Sequence, residues 1–218
     1  APFSDYRVAF NNISVADPLY TFPFLICIIV ALFFKRKNPK KIKWTKTGIY
    51  LSSFYLLFTV GNKLYMDTVF KKSFQKAGIS MNRFSAQPTI FNNILWYAVA
   101  ETKTQYHLTF YSLLDQKSYS EKIISVDKNH ALIDMSDENL HTLTWFSNGY
   151  FNLSKGAETG SYKYVDLRYP MLNPEDVNSS VFNFTISQKN NEWDILPFQG
   201  KAPTKKDLAV FMERIRGI

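Results

Sequence analysis

Between Leu19 and Phe34 the chain reads LYTFPFLICIIVALFF, sixteen residues without a charge. With Val15 and Ala16 the run approaches the roughly 20 apolar residues that cross a hydrocarbon core of about 30 Å. Asp17 and Pro18 have the character of an N-cap and a first helical residue, because proline has no N–H to lose there. A signal-peptide core would place its positive charges before the run, whereas here they follow it. The other alternative is a helix buried in a protein core. A second apolar run, GIYLSSFYLLFTVGNKLYM over 48–66, is interrupted by Ser52, Ser53, Asn62 and Lys63. Lys63 lies near its end, where a long side chain reaches back to the interface, and Tyr50 and Tyr65 mark two interfacial belts. The pattern predicts two transmembrane helices within 18–66, preceded by an N-terminal segment, 1–17, on the outer side.

The pattern changes after Met66. DTVFKKSFQKAG, residues 67–78, keeps a helical stripe of Val69, Phe70 and Phe74 and closes on Gly78, a C′ glycine. From 79 onward aromatic and β-branched residues alternate with polar ones. NILWYAVAET and QYHLTFYSLL read as strands of a hairpin around Thr-Lys-Thr, and EKIISV, GYFNLSK, YKYVDLRY, VFNFTIS and EWDILPF as further short strands. SDENLHTLTWF has acids at its start and Leu140, Leu143 and Phe146 at helical spacing. Near the end, Thr204 and Asp207 form a capping-box pair ahead of an apolar face of Leu208, Phe211, Met212 and Ile215. The fold class expected is α+β: a transmembrane hairpin followed by an extracytoplasmic domain, 79–218, of antiparallel sheet with one or two covering helices.

Charge supplies an orientation. The net charge is +8, and 35–46 holds seven Lys or Arg and no acid, leaving +1 for the rest of the chain. A nucleic-acid binder spreads basic residues over a whole face, so this confined excess argues against nucleic acid. Short Lys- and Arg-rich loops beside apolar runs stay cytoplasmic and attract anionic headgroups. The partner expected is therefore the lipid bilayer, with the C-terminal domain extracytoplasmic.

Catalytic signatures are scarce. His107, His130 and His141 share no zinc-binding spacing, Cys27 is alone, and there is no G-x-S-x-G elbow or phosphate-cradling glycine loop. Asp137 precedes His141 by one helical turn, with Asp134 and Glu138 nearby, a mixture that a divalent metal accepts. The same acids would complement the positive end of a helix. Aromatic residues, 17% of the chain, suit a sheet core and an interface as well as a ligand platform. The sequons at Asn12, Asn152, Asn178 and Asn183 matter only in a eukaryotic secretory setting.

Four stretches, PFSDYRVAFNN, DPLYTFPFL, QPTIFNNILWYAV and FYSLLD, run in order from about Ala1 to Asp115. They resemble the C-terminal part of the YdjM-like (LexA-binding) inner-membrane metal-dependent hydrolase family. That resemblance implies a protein of the bacterial inner membrane with a divalent metal held by His and Asp residues near its N-terminal spans. The family's H-R-x-x-T-H-S and P-D-x-D types of motif are absent from this sequence, so the metal ligands would lie upstream of a fragment. Asp17, in the DPLYT match, is the candidate nearest that region, joining Asp137 and His141. The function implied is the C-terminal portion of a membrane-bound hydrolase, its outer domain positioning or selecting substrate and the catalytic metal activating water. The alternative is a non-enzymatic, membrane-tethered binding or assembly module.

Overall fold

The structure is a computed structural model that describes residues 9–156, 158–171, 180, 182–189, 192–197 and 204–218. The first eight residues and the sequon at Asn178 lie outside the described residues. The chain divides into two units, Ala1–Thr68 with Ala86–Trp96, and Val69–Ser85 with Tyr97–Ile218.

Two helices make up most of the first unit: α1, Pro18–Leu32, and the larger part of α2, Pro39–Lys76. Asp17 caps α1, its carboxylate accepting from Leu19 N at 3.0 Å, and Pro18 opens the first turn. Asn38 caps α2 in the same way, Oδ1 accepting from Lys40 N at 2.9 Å ahead of a further proline-led first turn. The helices approach closely at Gly48, where an added Cβ would lie 2.9 Å from Cys27 Cβ and 3.3 Å from a Phe24 ring carbon. Tyr20, Phe24, Cys27 and Ala31 form the inward stripe of α1, at alternating spacings of four and three. On α2 the inward stripe is Gly48, Ser52, Tyr55, Thr59, Asn62 and Met66, with the same spacing. Such spacing is that of two helices packed nearly side by side.

In the second unit α2 ends on a Schellman motif: Gly78 has φ +71°, Gly78 N donates to Gln75 O, and Ile79 N to Phe74 O. Val69, Phe70 and Phe74 are buried. The strands form two four-stranded sheets. The first runs in order β1 (Arg83–Pro88), β2 (Leu95–Glu101), β3 (Gln105–Ser112), β4 (Ile123–Asp127). The second runs β5 (Phe151–Lys155), β6 (Ser161–Asp166), β7 (Asn183–Lys189), β8 (Glu192–Pro197), antiparallel throughout. Helix α3, Glu138–Phe146, lays Leu140 and Leu143 onto Phe151, Leu153, Tyr164 and Ile186, the core of the second sheet. Helix α4, Lys205–Ile215, starts on a capping box of Thr204 and Asp207 and buries Phe211.

Two expectations need correcting. The transmembrane hairpin over 18–66 does not form: no helix among the described residues is long and apolar enough to cross a membrane. Helix α1 stops after 15 residues, about 22 Å at 1.5 Å per residue, short of the roughly 30 Å of hydrocarbon. Helix α2 has the length, 38 residues, but Ser52, Ser53, Asn62 and Lys63 lower its apolar content. The strands expected in one sheet also separate into two. After β4, Asn129 takes φ +53°, a 3-10 turn follows at His130–Leu132, and α3 intervenes, so β5 opens a new sheet.

Candidate functional site

The helix pair of the first unit is inverted relative to a helix that faces water. An ordinary surface helix turns apolar side chains inward and polar ones outward. Here the inward stripe of α2 is small or polar as far as Asn62, while Phe54 (73% exposed), Leu57 (71%), Tyr50, Phe58 and Leu64 point out. Along α1, Leu19, Phe22, Ile26, Ile29 and Leu32 are exposed as well. Between the two apolar runs of the chain stands the cationic segment: of the seven Lys and Arg of 35–46, six are exposed and Lys41 is partly buried. In lipid, small and polar residues serve as the contacts between helices, because hydrocarbon offers no apolar driving force for helices to associate.

The inward polar groups form a bonded pair, Tyr55 with Asp17, and a separate network around Asn93. The Tyr55 hydroxyl donates to Asp17 Oδ2 at 2.7 Å, so Asp17, 3% exposed, has partners on both carboxylate oxygens. Burial, and then the Asp17 carboxylate, push the Tyr55 hydroxyl well above its ordinary range, which keeps it protonated and donating. Asn12 Nδ2 donates to Thr59 Oγ1 at 2.8 Å. Asn62 Nδ2 donates to Asn93 Oδ1 at 2.7 Å, and Asn93 Nδ2 in turn to Asn12 O at 2.8 Å. The buried Trp96 indole N–H donates to Asn93 O. Lys63 does not reach outward as the sequence suggested; its ammonium bonds Asp67 and the Ala86 carbonyl.

The loop 89–95 is fixed by this network. Asn92 accepts from Ile94 N and Leu95 N and donates to Thr89 Oγ1 and Ile90 O. Phe91 holds φ +62°, a conformation costing a bulky L-residue about 1–2 kcal/mol. Its N–H is secured by Ser14 Oγ, and its ring is exposed. Asn12, Asp17, Asn93 and Trp96 belong to three of the four stretches that carry the family resemblance, which the fold gathers around Tyr55, Thr59 and Asn62.

The residues singled out as metal ligands have other occupations. Asp17 is the buried cap and the acceptor of Tyr55. Asp137 caps α3, Oδ1 accepting from Asn139 N and Leu140 N. His141, exposed, follows one turn later, its N–H bonded to Asp137 O. Asp137 and His141 share a helix in the second unit, while Asp17 is in the first. Among the described residues no group of three or more His, Cys, Asp or Glu is placed to hold a metal ion. The donor sets at these three residues therefore do not fit the divalent ion that the resemblance implies. Of the sequons, Asn152 and Asn183 are buried on strands, and Asn12 is committed to Thr59.

A second cluster of ionisable groups, not anticipated from sequence, joins the two sheets. Glu101 receives Arg83 Nε on one oxygen and Lys128 Nζ on the other. Arg83 also donates to Asn148 O and lies over the Tyr150 ring, 4.1 Å from its centre. The Tyr106 hydroxyl donates to Gly149 O, and His130 Nε2 meets Phe151 O at 2.8 Å with the two rings stacked 4.0 Å apart. Burial raises the Glu101 carboxyl, but hydrogen bonds from Lys128 and Arg83 outweigh it and hold the group below its ordinary value. Burial pushes the Tyr150 hydroxyl up to about 12 and the His130 imidazole down. Arg83, Glu101 and Lys128 are far apart in sequence, so no local spacing announces them.

Scans of the chain against protein-family models, curated proteins and solved structures find no match.

Proposed function

We propose that this chain is a lipid-associated, non-enzymatic binding or assembly module. The exposed apolar faces of α1 and α2 rest against a lipid surface, and the 35–46 segment lies among its anionic headgroups. The inverted helix pair is the observation that carries this reading: polar inside, apolar outside, with a cationic segment at one end. Each large apolar side chain covered from water is worth roughly 1.5–3 kcal/mol at full burial. More than a dozen such side chains are exposed on these two helices, an apolar surface far beyond what a water-facing monomer carries. Each Lys or Arg near an anionic surface adds about 1 kcal/mol. The metal-dependent hydrolase implied by the resemblance draws no support from the donor sets just described, and no catalytic step is derived for it.

Flotation of the full chain with vesicles tests the proposal. Phosphatidylcholine vesicles containing phosphatidylglycerol should carry the chain upward and keep it through a carbonate wash. Replacing Lys40, Lys41 and Lys43 by Gln should weaken partition about fivefold per lysine, and only where phosphatidylglycerol is present. A chain that stays at the bottom of the gradient, alone or as a self-associated species, would remove the lipid reading.

A further inference from the structure

Among the described residues four that are not glycine hold a positive φ: Asn11, Asn129, Asn148 and Phe91. Asparagine tolerates that conformation because its short side chain bonds locally, whereas a phenylalanine there is an outlier. The surrounding chain keeps it in place. Phe91 N donates to Ser14 Oγ, and Asn92 Oδ1 accepts from Ile94 N and Leu95 N on the following turn. Asn92 Nδ2 donates back to Thr89 Oγ1 and Ile90 O, closing the loop on itself. Yet the Phe91 ring is 61% exposed, so burial within the chain returns little of the strain. Backbone outliers of this kind persist where a ligand or partner contact uses them.

The chain around Phe91 repeats the inversion of the helix pair. Residues 9–16 and 86–96, all in the first unit, carry no charge. Ser14, Thr89 and Asn93 are buried and hydrogen-bonded, whereas Phe10, Val15 and Phe91 are exposed. Asn12, bonded to Thr59, and Asn93, bonded to Asn62, tie both segments to α2. Along that stretch of α2 the outward residues Phe58 and Leu64 are exposed as well. The loop thus continues the uncharged apolar surface of the helices, away in sequence from the seven cations of 35–46. Binding to a lipid surface has two separable parts, apolar area buried and attraction of cations to anionic headgroups, and an uncharged projecting ring serves only the first. We infer that the Ile90–Phe91 tip is a second, charge-independent lipid contact, its ring entering the outermost acyl region of the surface on which α1 and α2 rest. The inference rests on the lipid association proposed above and names what its uncharged part holds.

The test is partition of the full chain onto vesicles of phosphatidylcholine alone and of phosphatidylcholine with phosphatidylglycerol, set beside thermal unfolding without lipid. Wild type should bind both kinds of vesicle. Phe91→Asn suits the backbone and loses the ring, so partition should fall about tenfold on both, with the unfolding midpoint unchanged or raised. Phe91→Leu keeps an apolar side chain at the same strained position and should retain most of the partition, with a midpoint no higher than wild type. The Lys40, Lys41 and Lys43 replacements act only where phosphatidylglycerol is present, which separates the two contacts. Three results would overturn the inference and leave the lipid reading standing: a wild type that floats only with phosphatidylglycerol, undiminished partition of Phe91→Asn, or a lowered midpoint in that variant. Self-association of wild type without vesicles, abolished by Phe91→Asn, would overturn it by giving the tip to a second copy. A wild type that floats with neither vesicle would remove both the inference and the reading beneath it.

Discussion

Replacing Glu101 with Gln keeps the shape of the side chain and removes the charge that Arg83 and Lys128 share. Breaking a fully buried ion pair by deleting one partner costs about 3–5 kcal/mol, whereas an exposed pair is worth under about 1. Glu101 and Lys128 are each 15% exposed at the side chain and Arg83 42%, so the cost lies between those limits, about 1–3 kcal/mol. For a chain of this size each kcal/mol moves the midpoint by about 2–4 °C, giving a fall of roughly 2–12 °C. The pH dependence is the sharper test. The folded carboxyl titrates below its ordinary 4.5, so its stabilisation is present above that value and is lost as pH falls through the folded value. Thermal unfolding followed by circular dichroism at pH 7 and in steps down to pH 3 should show wild type and Glu101→Gln separated at neutrality and converging in acid. A gap that persists unchanged at pH 3, or no gap at pH 7, would refute the reasoning.

Gly48→Leu should separate α1 from α2, since even a Cβ would lie 2.9 Å from Cys27 Cβ; a loss of about 1–3 kcal/mol is expected in the unfolding midpoint. A double-mutant cycle of Asp17→Asn with Tyr55→Phe should return a coupling of about 1–3 kcal/mol, as befits a hydrogen bond to a charged acceptor. Asp137→Ala should cost about 1 kcal/mol through the lost cap of α3, with Asp137→Ser restoring it and added zinc or manganese changing neither midpoint. His130→Phe should remove part of the acid lability near neutrality: the folded imidazole titrates below 6.5, so wild type loses stability as pH falls below that value and the variant does not.

Where local chemistry decides the structure, the sequence was legible. Asp17-Pro18, Thr204 with Asp207, and Gly78 each act through neighbours within five residues, and each is found doing so. The separation into two sheets was not visible, because it depends on where β5 pairs and not on whether it is a strand. The inward stripe of α2 was misjudged for a different reason. Ser52 and Asn62 interrupt an apolar run along the sequence, yet Tyr55, Thr59, Asn62 and Met66 recur at four, three and four residues, a signal that one helix face differs from the rest. The partners of that face, Asn12 and Asn93, lie 47 residues before and 31 residues after the positions they bond, beyond the reach of any periodicity. The Arg83–Glu101–Lys128 cluster has the same character, and only the assembled strands bring its members together.

What surrounds the outer faces of α1 and α2 is settled most directly by spin labels on the full chain with vesicles. With Cys27 replaced by Ser, single cysteines at Phe54 and Leu57 report the outward face and one at Ser52 the inward face. Outward labels should relax strongly with dissolved oxygen and weakly with a water-soluble nickel chelate, and the inward label weakly with both. Outward labels reached by nickel as freely as an unfolded chain would contradict the lipid-facing arrangement.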